Sequence, residues 1–198
     1  MAFDLYLASQ SPRRSQLLHQ LGVQFKVQVA DIDERILAQE SAYDYVARLA
    51  LQKAQAVWDR LDSTQQKPVL AADTCIAIEN EILGKPADEQ MAKAMLQRLA
   101  GRVHQVYTGI ALVSQQHSVC VNVNQVSFRP ITEQEIHAYW QTGEPQGKAG
   151  GYAIQGYGAA FIAHLEGSYS GVMGLPLFET AQLLDQYEIP IWQIIEHE

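Results

Sequence analysis

Three groups of residues stand where ordinary folding patterns disfavour them, and each implies chemistry. Asp73 interrupts an apolar run, with Val69-Leu70-Ala71-Ala72 before it and Thr74-Cys75-Ile76-Ala77-Ile78 after it. Aspartate is depleted in strands and costly to bury as an anion. A metal ion, a neighbouring cation or a water molecule awaiting deprotonation would each compensate it. The plain alternative ends the strand at Ala72 and leaves Asp73 in a turn. Lys53 is the second misfit. At 100° per residue it falls within the apolar stripe of Val46, Leu49, Ala50, Ala54, Val57 and Leu61. An ammonium there requires an internal ion pair, a stem that snorkels to water, or a bound phosphate. Arg60 shares the stripe but lies at the helix end, within reach of water. The third group is Ser9-Gln10-Ser11-Pro12-Arg13-Arg14, where a strand hands over to a helix. Free backbone N–H groups, hydroxyls and two guanidiniums converge there on a positive helix end, which suits an anion. Its plain alternative is an exposed first turn with two solvated arginines.

Other polar residues carry weaker signals. Glu34, in the acidic loop Asp31-Ile32-Asp33-Glu34, is a partner carboxylate for Asp73 on a divalent metal, or else an ordinary solvated acid. Lys85 in Gly84-Lys85-Pro86 and Lys148 before Gly150-Gly151 lie on turns that can carry an ammonium to a ligand. No metal-ligand spacing links His104 and His137, so both read as core or surface residues. Cys75 and Cys120 have neither a Cys-x-x-Cys nor a Cys/His spacing and read as reduced thiols. A Walker A loop, a dinucleotide-binding glycine pattern and a nucleophile elbow are all missing from the sequence, which removes the kinase, dehydrogenase and α/β-hydrolase readings.

The elements that must position these groups are legible as alternating strands and helices. Strands are expected at Phe3 to Leu7, Phe25 to Val29, Val69 to Ile78, His104 to Val113, Val119 to Phe128 and Ala160 to Leu165. Helices are expected after Ser11-Pro12 up to Gly22, from Ser41 to Leu61, from Asp88 to Leu99, after the Thr132-x-x-Glu135 capping box, and from Pro176 to Tyr187. Glu79-Asn80-Glu81 marks a hairpin turn, and a glycine-rich stretch runs from Gly147 to Gly158. With no repeat and no linker, residues 1–198 read as a single α/β domain of two interleaved lobes.

Composition narrows the function. The 198 residues carry 14 Lys and Arg against 22 Asp and Glu, a net charge of −8, with 47% hydrophobic residues. That excludes disorder and disulfide scaffolds. It also leaves no overall field for gathering nucleic acid or anionic lipid, so the expected partner is a small molecule held by a local basic cluster, with no nucleic acid and no membrane. The N-terminus lacks a basic leader and the longest apolar stretch, Val69 to Ile78, falls well short of the ~20 residues of a membrane helix. A cytoplasmic protein is expected.

Taken together, the chain resembles the Maf-like nucleoside triphosphate pyrophosphatases. The matching pieces are Leu7-Ala8-Ser9-Gln10-Ser11-Pro12-Arg13-Arg14, Asp33-Glu34, Arg48-Leu49-Ala50 with Lys53-Ala54, Ala72-Asp73-Thr74, Gly84-Lys85-Pro86, His104 to Gly109, Lys148 to Gly156 and Gly174-Leu175-Pro176. Two positions depart from the family pattern. Ala100 stands where Ser is frequent, and Gly171 where Asn is frequent. The resemblance implies an elongated mixed β-sheet flanked by helices, as in the Maf and ITPase-like folds, with a deep cleft between the lobes. It further implies hydrolysis of a nucleoside triphosphate to the monophosphate and pyrophosphate; the expected cofactor is a divalent cation, Mg²⁺ or Mn²⁺, and a homodimer is one candidate assembly. By resemblance Asp73 is the proton acceptor and, with Glu34, a metal ligand, while Ser9, Arg13, Arg14, Lys53, Thr74, Lys85 and Gln155 contact the substrate. Arg13, Thr74 and Gln155 match the dTTP/UTP-preferring group.

Two other readings compete. One is a pyrophosphatase for 7-methyl-GTP or other modified nucleotides, which the base-facing residues Thr74 and Gln155 would decide. The other is a nucleotide-binding regulator of cell division without turnover. A pure binder gains nothing from an anionic Asp73 beside phosphates, whereas hydrolysis needs a base or a metal ligand there.

Overall fold

Apolar runs become strands and helical stripes become the layers packed on them. The computed structural model describes residues 3–62, 64 and 66–192; residues 1 and 2, where the reading of the N-terminus begins, lie outside these. The order is β1 (Leu5–Leu7), α1 (Pro12–Gln20), β2 (Phe25–Val27), α2 (Ala42–Trp58), β3 (Val69–Ile78), β4 (Glu81–Leu83), α3 (Glu89–Leu99), β5 (Val103–Val113), β6 (His117–Phe128), α4 (Glu133–Gln141), β7 (Ile162–Glu166), α5 (Tyr169–Met173) and α6 (Leu177–Gln186). The glycine-rich stretch forms two short 3₁₀ turns, Ala149–Gly151 and Tyr157–Phe161.

Local chemistry sets these limits. Ser41 caps α2 by accepting from the Asp44 N–H at 3.1 Å, yet its hydroxyl donates to the Asp44 carboxylate at 2.6 Å. Aspartate is a methylene shorter than the Glu of a full capping box, and the reciprocal bond is not made. Thr132 and Glu135 make both halves of the box at the start of α4. Ser11 occupies the N-cap of α1 without a side-chain cap bond, and Pro12 follows at the first helical position. The strand expected from Phe3 begins at Leu5, and the helix expected to reach Leu61 ends at Trp58. The short α5 falls where no element was expected, because five residues with Gly171 among them are too few to show a period.

All strands join one mixed sheet in the order β2-β1-β3-β5-β6-β7, with β4 also on β3. β1 lies parallel to β2 and β3, and every other pairing is antiparallel. On one face Leu70 and Ala72 of β3 and Ile110 and Leu112 of β5 pack under α1 and α6. Further along the same strands Ile76, Ile78 and Val106 pack with α3, α4 and Phe128 in a second cluster. These two clusters are the cores of the two lobes. The opposite face is covered by α2, whose Ala50, Ala54 and Val57 meet Val69, Ala71 and Ala111.

α2 can lie close because Gly109 of β5 has no side chain; a Cβ there would stand 2.4 Å from the Val46 carbonyl oxygen. The sheet is open at one place. β1 pairs with β3 only as far as Leu70, and the pairing of β3 with β4 starts at Ile76, so among the described residues positions 71–75 of β3 have a strand partner, β5, on one side only.

Candidate active site

That gap in the sheet is where the unusual residues meet. Along β3, Asp73 points to the α2 side and Thr74 to the α1 side, since successive side chains alternate. With no strand of the described residues against this edge, both reach the same cavity, whose volume is about 690 Å³ and whose walls come from both lobes. Pockets for small ligands commonly span roughly 300–1,000 Å³. Asp73 lies within the strand, which continues to Ile78, so the turn alternative does not hold.

Lys53 is joined to two carboxylates. Its Nζ donates to Asp73 Oδ1 at 2.6 Å and lies 2.7 Å from Glu34 Oε1. The Lys53 and Asp73 side chains are only 12% and 10% exposed, while Glu34 is 43% exposed. Lys53 thus makes the internal ion pair that was one of its alternatives. Lys85 Nζ approaches Glu34 Oε2 at 3.7 Å from the β4 side of the gap. Burial pushes the Glu34 carboxyl up, but the Lys53 hydrogen bond and the charges of Lys53, Lys85 and Arg14 outweigh it, leaving Glu34 below its ordinary value. Two carboxylates thus converge on one cationic position, although among the described residues no group of three or more His, Cys, Asp and Glu does so.

The β1 side of the gap supplies the cationic end. Ser9 is buried, and its Oγ accepts from the Ser11 N–H and from Arg14 Nη1, both at 3.2 Å. Arg14 also donates from Nε to the Gly174 carbonyl at 2.8 Å and from Nη2 to Thr74 Oγ1 at 3.2 Å. The guanidinium is held at three points and keeps two N–H groups for a ligand. Thr108 donates to the Gly171 carbonyl at 2.8 Å, so Thr74, 2.9 Å away, must be the donor to Thr108. The Thr74 hydroxyl proton is therefore committed to the protein, and Thr74 fixes Arg14 through its remaining oxygen lone pairs. Arg13 lines the cavity half-buried. Burial lowers its pKa, while the charges of Glu144 and Tyr139 act to raise it.

The far wall is the glycine-rich segment. The Gly150 N–H donates to the Gly84 carbonyl at 2.9 Å, which ties the Lys148 turn to the Lys85 turn. Gln155 is exposed on the cavity wall. All the expected site residues, Ser9, Arg13, Arg14, Glu34, Lys53, Asp73, Thr74, Lys85 and Gln155, line this one cavity. His104 does not. It is 2% exposed, shares a hydrogen bond with the Tyr152 hydroxyl at 2.8 Å and is a core residue. His137 is a surface residue paired with Glu89 at 2.8 Å.

The order of these motifs along the chain is that of a known family, for a family profile described as "Maf-like protein" matches residues 4–187. The chain belongs to the Maf-like proteins. A dTTP/UTP pyrophosphatase from Alkalilimnicola ehrlichii is 50% identical over 188 residues, covering 93% of this chain and 93% of that one. One from Colwellia psychrerythraea is 54% identical over 183 residues, covering 91% of this chain and 86% of its own. Among solved structures, the Ham1 protein of Staphylococcus aureus matches with a TM-score of 0.52 at 13% identity over 93% of this chain and 99% of that one, a likeness of fold.

Some supporting residues of this Maf-like site were not legible as such. Arg48 clamps the acidic loop by donating to both Glu40 oxygens, at 2.5 and 2.7 Å, and to the Arg35 carbonyl at 3.0 Å. The Tyr45 hydroxyl donates to the Glu34 carbonyl at 3.0 Å. Together they hold Glu34 against Lys53. In sequence both residues fall on the polar side of a helix and carry no mark of that task. Thr108 and Glu144 are likewise visible only once strands and loops from distant parts of the chain are adjacent.

Proposed function

We propose that this chain is a nucleoside triphosphate pyrophosphatase that hydrolyses dTTP and UTP to the monophosphate and pyrophosphate. The observation that carries the reading is the paired Asp73 and Glu34 carboxylates at the gap in the sheet, facing the arginine-rich start of α1 across one cavity. A triphosphate approaches four negative charges. Arg13, Arg14, Lys85, Lys148 and the α1 N-terminus line the cavity in position to receive them, which lets a protein of net charge −8 bind a polyanion. The oxyanions of the α-phosphoryl group meet guanidinium N–H groups already held in place by Ser9, Thr74 and Gly174, so little reorganisation is needed as charge develops.

Asp73 orients a water molecule and takes its proton. The water oxygen bonds to the α-phosphorus as the bond from that phosphorus to the bridging oxygen breaks, and pyrophosphate leaves with the bonding pair. Asp73 and Glu34 are also the residues that would hold a divalent cation, Mg²⁺ or Mn²⁺, since such ions are commonly bound by one or two carboxylates with substrate phosphates completing the shell. When bound, the ion would neutralise phosphate charge. Lys53 supplies a cation to the same two carboxylates when no ligand is present.

Gln155 recognises the base. Thymine and uracil present carbonyl acceptors beside an N–H donor, and an amide offers the matching donor and acceptor. The enzyme acts in the cytoplasm on a free nucleotide as a single domain, and we take the homodimer as its working assembly. The test is kcat/KM for dTTP, UTP, GTP and 7-methyl-GTP on the wild type and on Gln155→Glu. The wild type prefers the two pyrimidine nucleotides, and the carboxylate, set against a base carbonyl, lowers that preference by about ten- to a hundredfold. A wild-type preference for 7-methyl-GTP would contradict the assignment.

A further inference from the structure

Glu144 is a cavity-lining acid that neither the sequence reading nor the phosphate chemistry above employs, and its surroundings are specific. Its Oε1 accepts from the Tyr139 hydroxyl at 2.7 Å and from the Gly158 N–H at 2.9 Å, and its Oε2 accepts from the Tyr157 N–H at 2.8 Å. Tyr139 is buried on α4, and its hydroxyl oxygen in turn accepts from the Ala153 N–H at 3.2 Å. One carboxylate and one phenol thus fasten both ends of the segment 153–158 to α4 and the turn that follows it. Gly156 presses against the same carboxylate; a Cβ there would lie 1.9 Å from Glu144 Oε2. Gln155 is the neighbour of that glycine.

Burial acts to raise the Glu144 pKa, but the bonds from Gly158, Tyr139 and Tyr157 and the charge of Lys148 prevail, so it lies below the ordinary range and the group is an anion at neutral pH. Its charge also acts on Arg13. An acid beside a triphosphate site opposes substrate charge, so its presence calls for a task other than phosphate binding. Three donors converging on it supply that task.

We propose that Glu144 is a positioning residue for base selection, holding the 153–158 segment so that Gln155 meets the nucleobase in a fixed position. This rests on the reading of Gln155 as the base-contacting residue. A carboxylate is required, because an amide has one acceptor oxygen. Whichever way a glutamine turned, its NH₂ would face the Tyr157 N–H on one side, or the Tyr139 hydroxyl and Gly158 N–H on the other.

The experiment compares Glu144→Gln, Gln155→Ala and the double variant by steady-state kinetics with dTTP and GTP, together with amide hydrogen exchange at residues 157 and 158. Tyr139→Phe serves as a milder second variant that removes one of the three donors. In Glu144→Gln, KM for dTTP rises about tenfold with kcat nearly unchanged, and the dTTP-to-GTP ratio of kcat/KM falls by a similar factor. In the Gln155→Ala background the same change adds less than about twofold. Exchange at residues 157 and 158 rises at least about tenfold while the sheet keeps its protection. Tyr139→Phe shifts the same quantities in the same direction by less. A folded Glu144→Gln enzyme with the wild-type ratio, or with full additivity in the double variant, overturns the proposal. So does unchanged amide exchange. Failure of the underlying base reading looks different: Gln155→Ala alone then leaves the ratio unchanged, which removes Gln155 from recognition and with it the selective role of Glu144, even where exchange at 157 and 158 still rises.

Discussion

Replacing Lys53 by Met keeps the apolar stem against α2's neighbours and deletes the cation that joins Asp73 to Glu34. The cost can be bounded from the structure. Both ends of the Lys53 to Asp73 pair are nearly buried, at 12% and 10% side-chain exposure. Removing one partner of a buried pair typically costs about 3–5 kcal/mol because an uncompensated charge remains. Two features reduce it here. Glu34 is 43% exposed and can turn to water, and Arg14 lies close enough for Asp73 to act on its charge. A loss of about 2–3 kcal/mol follows for the ligand-free protein at neutral pH. For a chain of this size each kcal/mol lowers Tm by about 2–4 °C, so the fall is roughly 4–12 °C. Adding Asp73→Asn to Lys53→Met removes the orphaned charge and restores most of the loss, although each change alone destabilises or inactivates. Thermal denaturation of the four proteins in a double-mutant cycle measures this directly. A Tm for Lys53→Met within about 1 °C of the wild type, or no recovery in the double variant, would refute the reasoning.

Two further outcomes are expected. Asp73→Asn preserves the fold and dTTP binding but lowers kcat on the order of 10²-fold or more, as for removal of a general base, and unchanged turnover in the folded variant would take Asp73 out of the mechanism. Burial pushes the His104 imidazole down from its ordinary 6.5 to about 4. The unfolded chain takes up this proton near pH 6.5 and the folded chain only near pH 4, so the stability that neutral His104 confers is complete above 6.5 and drains away as pH falls through that window, by up to about 3 kcal/mol in all. Denaturant unfolding between pH 4.5 and 7.5 should show a shallower slope in His104→Leu than in the wild type; equal slopes would assign the acid sensitivity elsewhere.

Much of this was legible before the chain was folded, and what was not has physical reasons. The β3 and β5 runs are apolar, bounded by turn residues, and long enough to be strands with few alternatives. Asp73 and Lys53 were conspicuous because each breaks a local pattern: one a strand's apolarity, the other a helix's stripe. Their union was not legible, since it depends on α2 crossing β3 at the height that Gly109 permits. The gap between β1 and β4 was equally hidden, because pairing register is a property of two distant segments rather than of either one. Thr74 shows the limit most clearly. The resemblance places it among the base-facing residues, and the structure adds that its hydroxyl lies between Arg14 and Thr108 and holds the arginine in place. α5 and the 3₁₀ turns carry too few residues for any period to appear, and they contribute Gly171, Gly174 and the Gly150 N–H through backbone atoms, which side-chain chemistry cannot announce.

The central claim is that water attacks the α-phosphorus of a pyrimidine nucleoside triphosphate in the cavity at the sheet gap. Hydrolysis of dTTP in ¹⁸O-labelled water with Mg²⁺, followed by mass spectrometry of both products, tests it most directly. Attack at the α-phosphorus places one labelled oxygen in dTMP and none in pyrophosphate. Label in pyrophosphate, or release of inorganic phosphate in place of pyrophosphate, would contradict it.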